Sequence, residues 1–375
     1  MDEILDSIVC PISKEKLSII IFDFFEFNNQ KVKSGLLYCN KLKIFYPIIN
    51  GVPIMLTFPT VLTLNFKKKY ENEIQKKIPN YKLPKLQPMK GEKSIQKTFT
   101  EEWNGLGDEE IVFMYDKNEG YNLHKKVWLS SLPQKLCNEK KKVLDVGCGA
   151  GREAEYLAKI FPNANIYAVD LNLALVGNGE KMIQSGQIVP IVCSLFNLPF
   201  NDNKFDHVHC QGVMHHTYDT YEAFKKVEKM VGLKNSSFFV WVYAWEDSFG
   251  IKGLRGMFTH LYYFISHRIF RPFLSRLPSK LRWFFVWIIS FVYHYIIKIF
   301  GNSNHENWNL NNTTHAVRDM FTPRYAHRHR HNEVHQWFEE HGYNNITFQL
   351  SKTYYQLFKR RILGIGFLGQ KILND

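Results

Sequence analysis

Between residues 99 and 245, strand-like apolar runs alternate with segments whose apolar positions recur at helical spacing. That alternation predicts a parallel sheet covered by helices. Residues 1–60 differ. Their short apolar runs, such as LSIIIF and KIFYPIINGVPIML, are separated by turn residues and predict a small β-rich module. Residues 61–98 carry ten Lys, three Glu and Pro79, Pro84 and Pro88, a density that predicts a basic linker or loosely packed arm. Residues 246–304 are basic, aromatic and helical in pattern, and residues 305–375 return to α/β character. The longest uncharged apolar run, Trp283 to Ile297, has 15 residues and is closed by Arg282 and Lys298. A spanning helix needs about 20 residues, so a buried or interfacial helix is expected here.

Composition narrows this picture. A 375-residue chain that is 45% hydrophobic fits roughly two domains with real cores and excludes wholesale disorder. The six Cys have no paired spacing, and the acidic start MDEILDSIVC lacks a signal-peptide pattern. A reducing cytoplasm is therefore the expected location. The net charge of +13 resides in two places: 61–98 and 246–304, where eight Lys/Arg face only Glu246 and Asp247. It points to an anionic partner rather than to a reaction.

The sharpest local feature starts at Lys142. A short apolar strand runs into Gly147-Cys148-Gly149-Ala150-Gly151 and then into the helical pattern from Glu153 to Phe161. A second strand, Asn165 to Val169, ends at Asp170. Glycines permit a tight turn and close backbone approach to a ligand, and an acid ending the second strand can accept from both hydroxyls of a ribose. A dinucleotide site is the generic alternative, but the spacing is Gly-x-Gly-x-Gly and Asp145 precedes the first glycine by two residues.

As a set, these segments resemble the class I S-adenosylmethionine (SAM)-dependent methyltransferases. VLDVGCGAGR (143–152) is similar to the family's first motif and VDLN (169–172) to the acidic end of its second strand. SLFNLPF (194–200), FDHVHCQGVMHHT (205–217) and SSFFVWVYAW (236–245) are similar to the loop after strand three, strand four with its loop, and strand five. The resemblance implies a Rossmann-like α/β fold with a mostly parallel seven-stranded sheet over 99–245 and 305–375, and SAM as cofactor. Gly147, Gly149 and Gly151 would pack under its methionine part, Asp145 would orient its amino group, and Asp170 would hold the ribose. Leu171, Ser194, Leu195 and Gln211 complete the implied set. Ser194 departs from the pattern, because the family often has an acid there at the adenine amino group.

Methyl transfer to a hydroxyl also needs a general base near neutral pH, and His suits that role. His215 and His216 follow strand four, at the edge where such sheets bind ligands. His215 is the better placed to line the site, and His216 serves equally as a loop residue. The order Asp319, Thr322-Pro323, Trp337-Phe338, Gly342-Tyr343 resembles one branch of small-molecule methyltransferases, which place this loop over the acceptor. Asp319, Arg324 and Tyr325 are the acceptor-side candidates there. Asn332 as N-cap and Gly342 as terminator bracket a short helix. His327, His329 and His331 alternate but lack a carboxylate or Cys partner, so a solvated loop rather than a metal is expected.

Cys10-x-x-Ser13, Cys39-x-x-Leu42 and the following Tyr46-Pro-Ile-Ile-Asn-Gly51 resemble a degenerate zinc-ribbon module of a kind fused to, or partnering, some methyltransferases. Tetrahedral zinc takes four ligands, and only two thiols remain, so no zinc is expected. The 246–304 insert, after strand five, has three readings: a lid touching an anionic membrane through 250–300, an RNA-backbone surface, or a helical pair buried against the sheet or a second copy. Together these features predict methylation of a small or lipid-like acceptor, with O-methylation favoured. An RNA methyltransferase and a non-catalytic binding protein are the alternatives.

Overall fold

The computed structural model describes residues 7–104, 116–245, 257, 261, 264–300, 309–348, 351–358 and 364–371. The first part of the 246–304 insert and residues 301–308 thus lie largely outside the described residues.

The N-terminal strands β1 (Ser18–Phe25), β2 (Asn28–Cys39), β3 (Ile44–Ile49) and β4 (Val52–Pro53) form an antiparallel sheet in chain order. Next come α1 (Val61–Lys69) and α2 (Glu71–Lys77). Thr60 caps α1 reciprocally with Thr63, which satisfies free backbone donors at the helix start. Phe66 and Ile74 from these helices pack on Leu36 and Phe45 of the sheet. The expected linker is therefore a folded layer: Phe66, Ile74, Ile78 and Leu83 are buried against the sheet, while its lysines, with Val61 and Leu64, stay exposed. A third helix, α3 (Glu92–Trp103), completes this correction.

The large sheet contains β5 (Lys142–Val146), β6 (Asn165–Asp170), β7 (Ile188–Val192), β8 (His207–Gln211), β9 (Ser236–Tyr243), β10 (Asn345–Phe348) and β11 (Gly364–Lys371). Its order is β10-β11-β9-β8-β5-β6-β7, the mostly parallel seven-stranded sheet anticipated from the sequence. β11 runs antiparallel to both neighbours, and β5 through β9 pair in parallel. Helices α4 (Arg152–Ile160), α5 (Leu175–Gln184) and α6 (Thr220–Glu228) connect these strands. The central strands are apolar on both faces, as helix-covered parallel strands must be. Strand order reverses at β5, which opens a crevice beyond the carboxyl ends of β5 and β8.

The small module is continuous with this sheet. Ile54 pairs in parallel with Val192, and the Met55 amide donates to the Val192 carbonyl at 2.7 Å. Lys14 Nζ donates to the carbonyls of Leu198 and Phe200. Cys10 and Cys39 are fully buried in the core shared with the large sheet. Their sulfurs lie 3.4 Å from the hydroxyls of Tyr46 and Ser13 respectively.

From the insert, α7 (Ser279–Phe300) is described, and it packs on α8 (Leu310–Phe321). The helix α9 (His331–Glu340) begins one residue before the expected cap. Glu333 explains the shift: one carboxylate oxygen accepts from the Arg330 amide and the other is 2.8 Å from His329 Nδ1.

Candidate active site

The crevice holds a cavity of about 270 Å³. Gly147 and Gly149 floor it from the β5–α4 loop, Asp170 and Leu171 come from the end of β6, and Ser194 and Leu195 follow β7. Gln211 enters from the end of β8, His216 from the turn that follows, and Asp319 from α8. The chain thus brings together at one cavity most of the residues singled out in its sequence.

Gly147 has φ +82°, a left-handed conformation that a side chain disfavours. Gly149 donates its amide to Asp170 Oδ2 at 2.8 Å, and the Asn172 amide donates to Oδ1 at 2.8 Å. Asp170 therefore fastens the glycine loop to the end of β6. Burial pushes its carboxyl above the ordinary range, although these donors oppose the shift.

Asp145, Gly151, His215 and Tyr325 stand outside the cavity wall. Asp145 alternates with Val146, and it is Val146 that faces the cavity. The Asp145 carboxyl is buried beneath the loop, its Oδ2 without a hydrogen-bond partner among the described residues, and burial, then Glu153 and Asp170, push it well above the usual range. Gly151 starts α4 with φ +98°, and a Cβ there would meet Met182 at 2.7 Å.

The two histidines exchange their expected places. His215 is fully buried, 3.9 Å from the Tyr243 ring, and neither ring nitrogen has a partner among the described residues. His216 lines the cavity instead. The reason is the tight 3-10 turn Met214–His216, in which successive side chains diverge by about 120°. Nδ1 of His216 lies 2.8 Å from the Tyr325 carbonyl, and Nε2 lies 3.6 Å from Asp319 Oδ1. Burial pushes His216 below the ordinary histidine value, with the Asp319 charge working against it. The imidazole is therefore neutral at pH 7. Since a carbonyl only accepts, Nδ1 carries the proton and Nε2 offers a lone pair. Tyr243 Oη donates to the other oxygen of Asp319. Tyr325 thus acts through its backbone, while its phenol oxygen is buried without a hydrogen-bond partner among the described residues.

The wall that the sequence concealed is α3. Glu92, Ile95, Phe99, Glu102 and Trp103 all line the cavity. Phe99 meets His216 edge-on at 5.3 Å, and Trp103 meets His315 at 5.7 Å. Glu92 lies against the Ser194 hydroxyl, and its Oε1 is buried without a hydrogen-bond partner among the described residues. An acid thus stands beside Ser194 in space where the sequence lacks one at 194. Glu102 sits 3.3 Å from His315 Nε2; burial raises this carboxyl well above its ordinary range and lowers His315 to about 4.

The loop after α8 is pinned rather than solvated. His327 Nε2 lies 3.0 Å from the Thr217 carbonyl, and His329 Nε2 lies 2.9 Å from the Thr220 hydroxyl. Among the described residues, no three His, Cys, Asp or Glu side chains group to hold a metal.

The lining fits a cation better than an anion. It contains five carboxyls (Glu92, Glu102, Glu153, Asp170 and Asp319) against one cationic side chain, Lys90. A sulfonium with an ammonium group and hydroxyls offers charge and donors to these carboxyls, whose ionised form burial otherwise disfavours. Much of the remaining wall is aromatic (Phe99, Trp103, Trp128, Phe196, Tyr218, Trp241 and Tyr243), with aliphatic side chains such as Ile95, Leu123 and Val169 between.

Residues 144–235 match a family model described as a methyltransferase domain. The fold is the Rossmann-like fold of class I methyltransferases, this segment is a methyltransferase domain, and SAM is its cofactor. An uncharacterized protein of Synechococcus sp. is 30% identical over 82 residues, which make up 21% of this chain and 20% of that protein. The malonyl-[acyl-carrier protein] O-methyltransferase of Legionella pneumophila is 26% identical over 100 residues, 26% of this chain and 35% of the relative. The chain thus covers well under half the length of either curated relative. Among solved structures, human N-acetylserotonin methyltransferase in complex with SAM is similar at 13% identity, with a TM-score of 0.39, over 71% of this chain and 56% of that chain.

Proposed function

We propose that the whole protein transfers a methyl group from SAM to a hydroxyl of a small or lipid-like acceptor. The observation that carries this reading is the neutral imidazole of His216, whose Nε2 lone pair faces an aromatic cavity beside Asp319. Bound SAM supplies an electrophilic methyl group on a sulfonium. The chain's own work is to hold the reactants in line, exclude water and move one proton. His216 Nε2 takes the acceptor's hydroxyl proton, and Asp319 stabilises the imidazolium that results. On the cofactor side, Asp170 takes the ribose hydroxyls, and Glu92 takes the adenine amino group with its unpartnered oxygen.

Two outcomes follow. Glu92→Ala is expected to weaken SAM binding about tenfold, the worth of one charge-assisted hydrogen bond. Calorimetry with the inosine analogue of SAM checks the assignment: wild type should discriminate against it, and the variant should not. Equal discrimination by both would remove Glu92 from the adenine.

The reaction is tested by offering labelled SAM with hydroxylated aromatics, hydroxylated lipids, matching amines and RNA. Label on oxygen supports the proposal; label on nitrogen or RNA alone overturns it. With an active acceptor, the acid limb of kcat/KM should lie below the usual histidine value, because the neutral, depressed form is the base. Asp319 raises the His216 pKa, so Asp319→Asn should move that limb to still lower pH and reduce the plateau. An unmoved limb would separate His216 from catalysis.

A further inference from the structure

Helix α7 packs one side, Val286 with Phe285, Ile289 and Tyr293, against α8 and leaves a second, apolar face open. Arg282, Val286, Ser290 and His294, four residues apart, are buried against the protein. Arg282 donates to Glu101 at 2.6 Å, and His294 Nδ1 lies 2.9 Å from Thr313 Oγ1. The other face presents Trp283, Phe284, Trp287, Ile288, Phe291 and Tyr295 to solvent, each 38–56% exposed. Ile269, Phe270 and Phe273, just before it, are also exposed. A contiguous apolar surface of this kind on a folded chain marks a binding face.

Charge selects the occupant. Residues 248–305 contain eight Lys/Arg and no Asp or Glu. Arg268, Arg276 and Lys280 are exposed close in sequence to the aromatic stripe. A second copy docked on this face would bring two acid-free basic segments together. A nucleic-acid backbone would satisfy the cations but leave the stripe from Trp287 to Tyr295, which carries no cation, without a partner. A bilayer surface offers anionic headgroups and hydrocarbon together, and Trp and Tyr favour that boundary. Among the described residues no helix is long and apolar enough to cross a membrane. With one face pinned to the protein, α7 is fit to lie along the surface.

We propose that the exposed face of α7, with the turn before it, docks this protein on an anionic lipid bilayer without spanning it. The helix beneath it, α8, carries His315 and Asp319 into the cavity. The acceptor wall thus rests directly on the docking helix. The docking surface stands apart from the methyl-transfer reading; only the corollary that the acceptor is a membrane amphiphile rests on that reading.

The test is flotation of the full chain with vesicles of phosphatidylcholine alone or mixed with phosphatidylglycerol. Wild type should bind the anionic vesicles at least about tenfold better, with binding that weakens as salt rises. Trp287→Glu/Phe291→Glu should lose that binding about tenfold or more, since each removes apolar burial and adds a repelled charge. Arg268→Glu/Arg276→Glu/Lys280→Glu should lose the salt-dependent part. All substituted positions are exposed, and unchanged near-ultraviolet circular dichroism and SAM affinity should show intact folds. Absence of vesicle binding by wild type, or equal binding by the Glu variants, overturns the proposal. So does a dimer dissociated by Trp287→Glu/Phe291→Glu, or RNA binding lost in it, when wild type ignores vesicles. SAM calorimetry is independent of these outcomes and keeps the methyltransferase reading separate.

Discussion

His216→Gln should lower kcat by about two to four orders of magnitude and leave SAM affinity within about twofold of wild type. Glutamine fills much of the same space but cannot act as a base. The size of the effect follows from how His216 is held. The Tyr325 carbonyl fixes its tautomer, Phe99 and His215 pack on its ring, and Asp319 waits at 3.6 Å for the charge. His215→Gln is the internal comparison. That ring is fully buried and away from the cavity, so the substitution should lower thermal stability more than it lowers kcat. Radiolabelled methyl transfer and thermal unfolding measure the two. A His216→Gln enzyme within about threefold of wild-type kcat would remove the base from the account.

Gly147→Ala should weaken SAM binding about a hundredfold, through two separable costs. A Cβ there would lie 2.0 Å from Val213 Cγ2, closer than any contact allows. The backbone φ of +82° adds about 1–2 kcal/mol for a side-chain-bearing residue. The clash cannot be relieved cheaply, because Val213 begins the turn that aims His216. Gly147→Ala/Val213→Ala removes both Cγ contacts but leaves Val213 Cβ at 2.9 Å and keeps the strain. It should recover part of the affinity and remain about tenfold or more below wild type, the factor that about 1.4 kcal/mol represents. Calorimetric Kd values for the two variants decide the matter. A single variant that binds SAM as wild type does would show that the loop need not approach the cofactor.

The cofactor side was legible because its residues lie in one continuous stretch. β5, the glycine loop, α4 and β6 follow in order, and the turn chemistry of Gly147 and the strand-end position of Asp170 are local properties. The adenine contact and the acceptor side depend on contacts far apart in the chain. Glu92 and Ser194 meet from different elements, and the lysines and prolines of 61–98 masked the helices there. One signal was available: Ile95, Phe99 and Trp103 recur every four residues, which is a helix face. His315 and Asp319 have the same spacing on α8. The choice between His215 and His216 was not readable, because adjacent residues in a 3-10 turn diverge in a direction that only the loop 322–330 defines. The insert was half legible. Its periodicity predicted a helix, but not that one apolar face would be buried and the other left open.

The central claim is that the cavity holds SAM through Asp170 and the loop this residue fastens. Calorimetric titration of wild type and Asp170→Ala with SAM tests it most directly. Saturable one-to-one binding by wild type, weakened about a hundredfold or lost in Asp170→Ala, is the predicted result. Absence of wild-type binding at high micromolar SAM, or equal affinity in the two proteins, would contradict it.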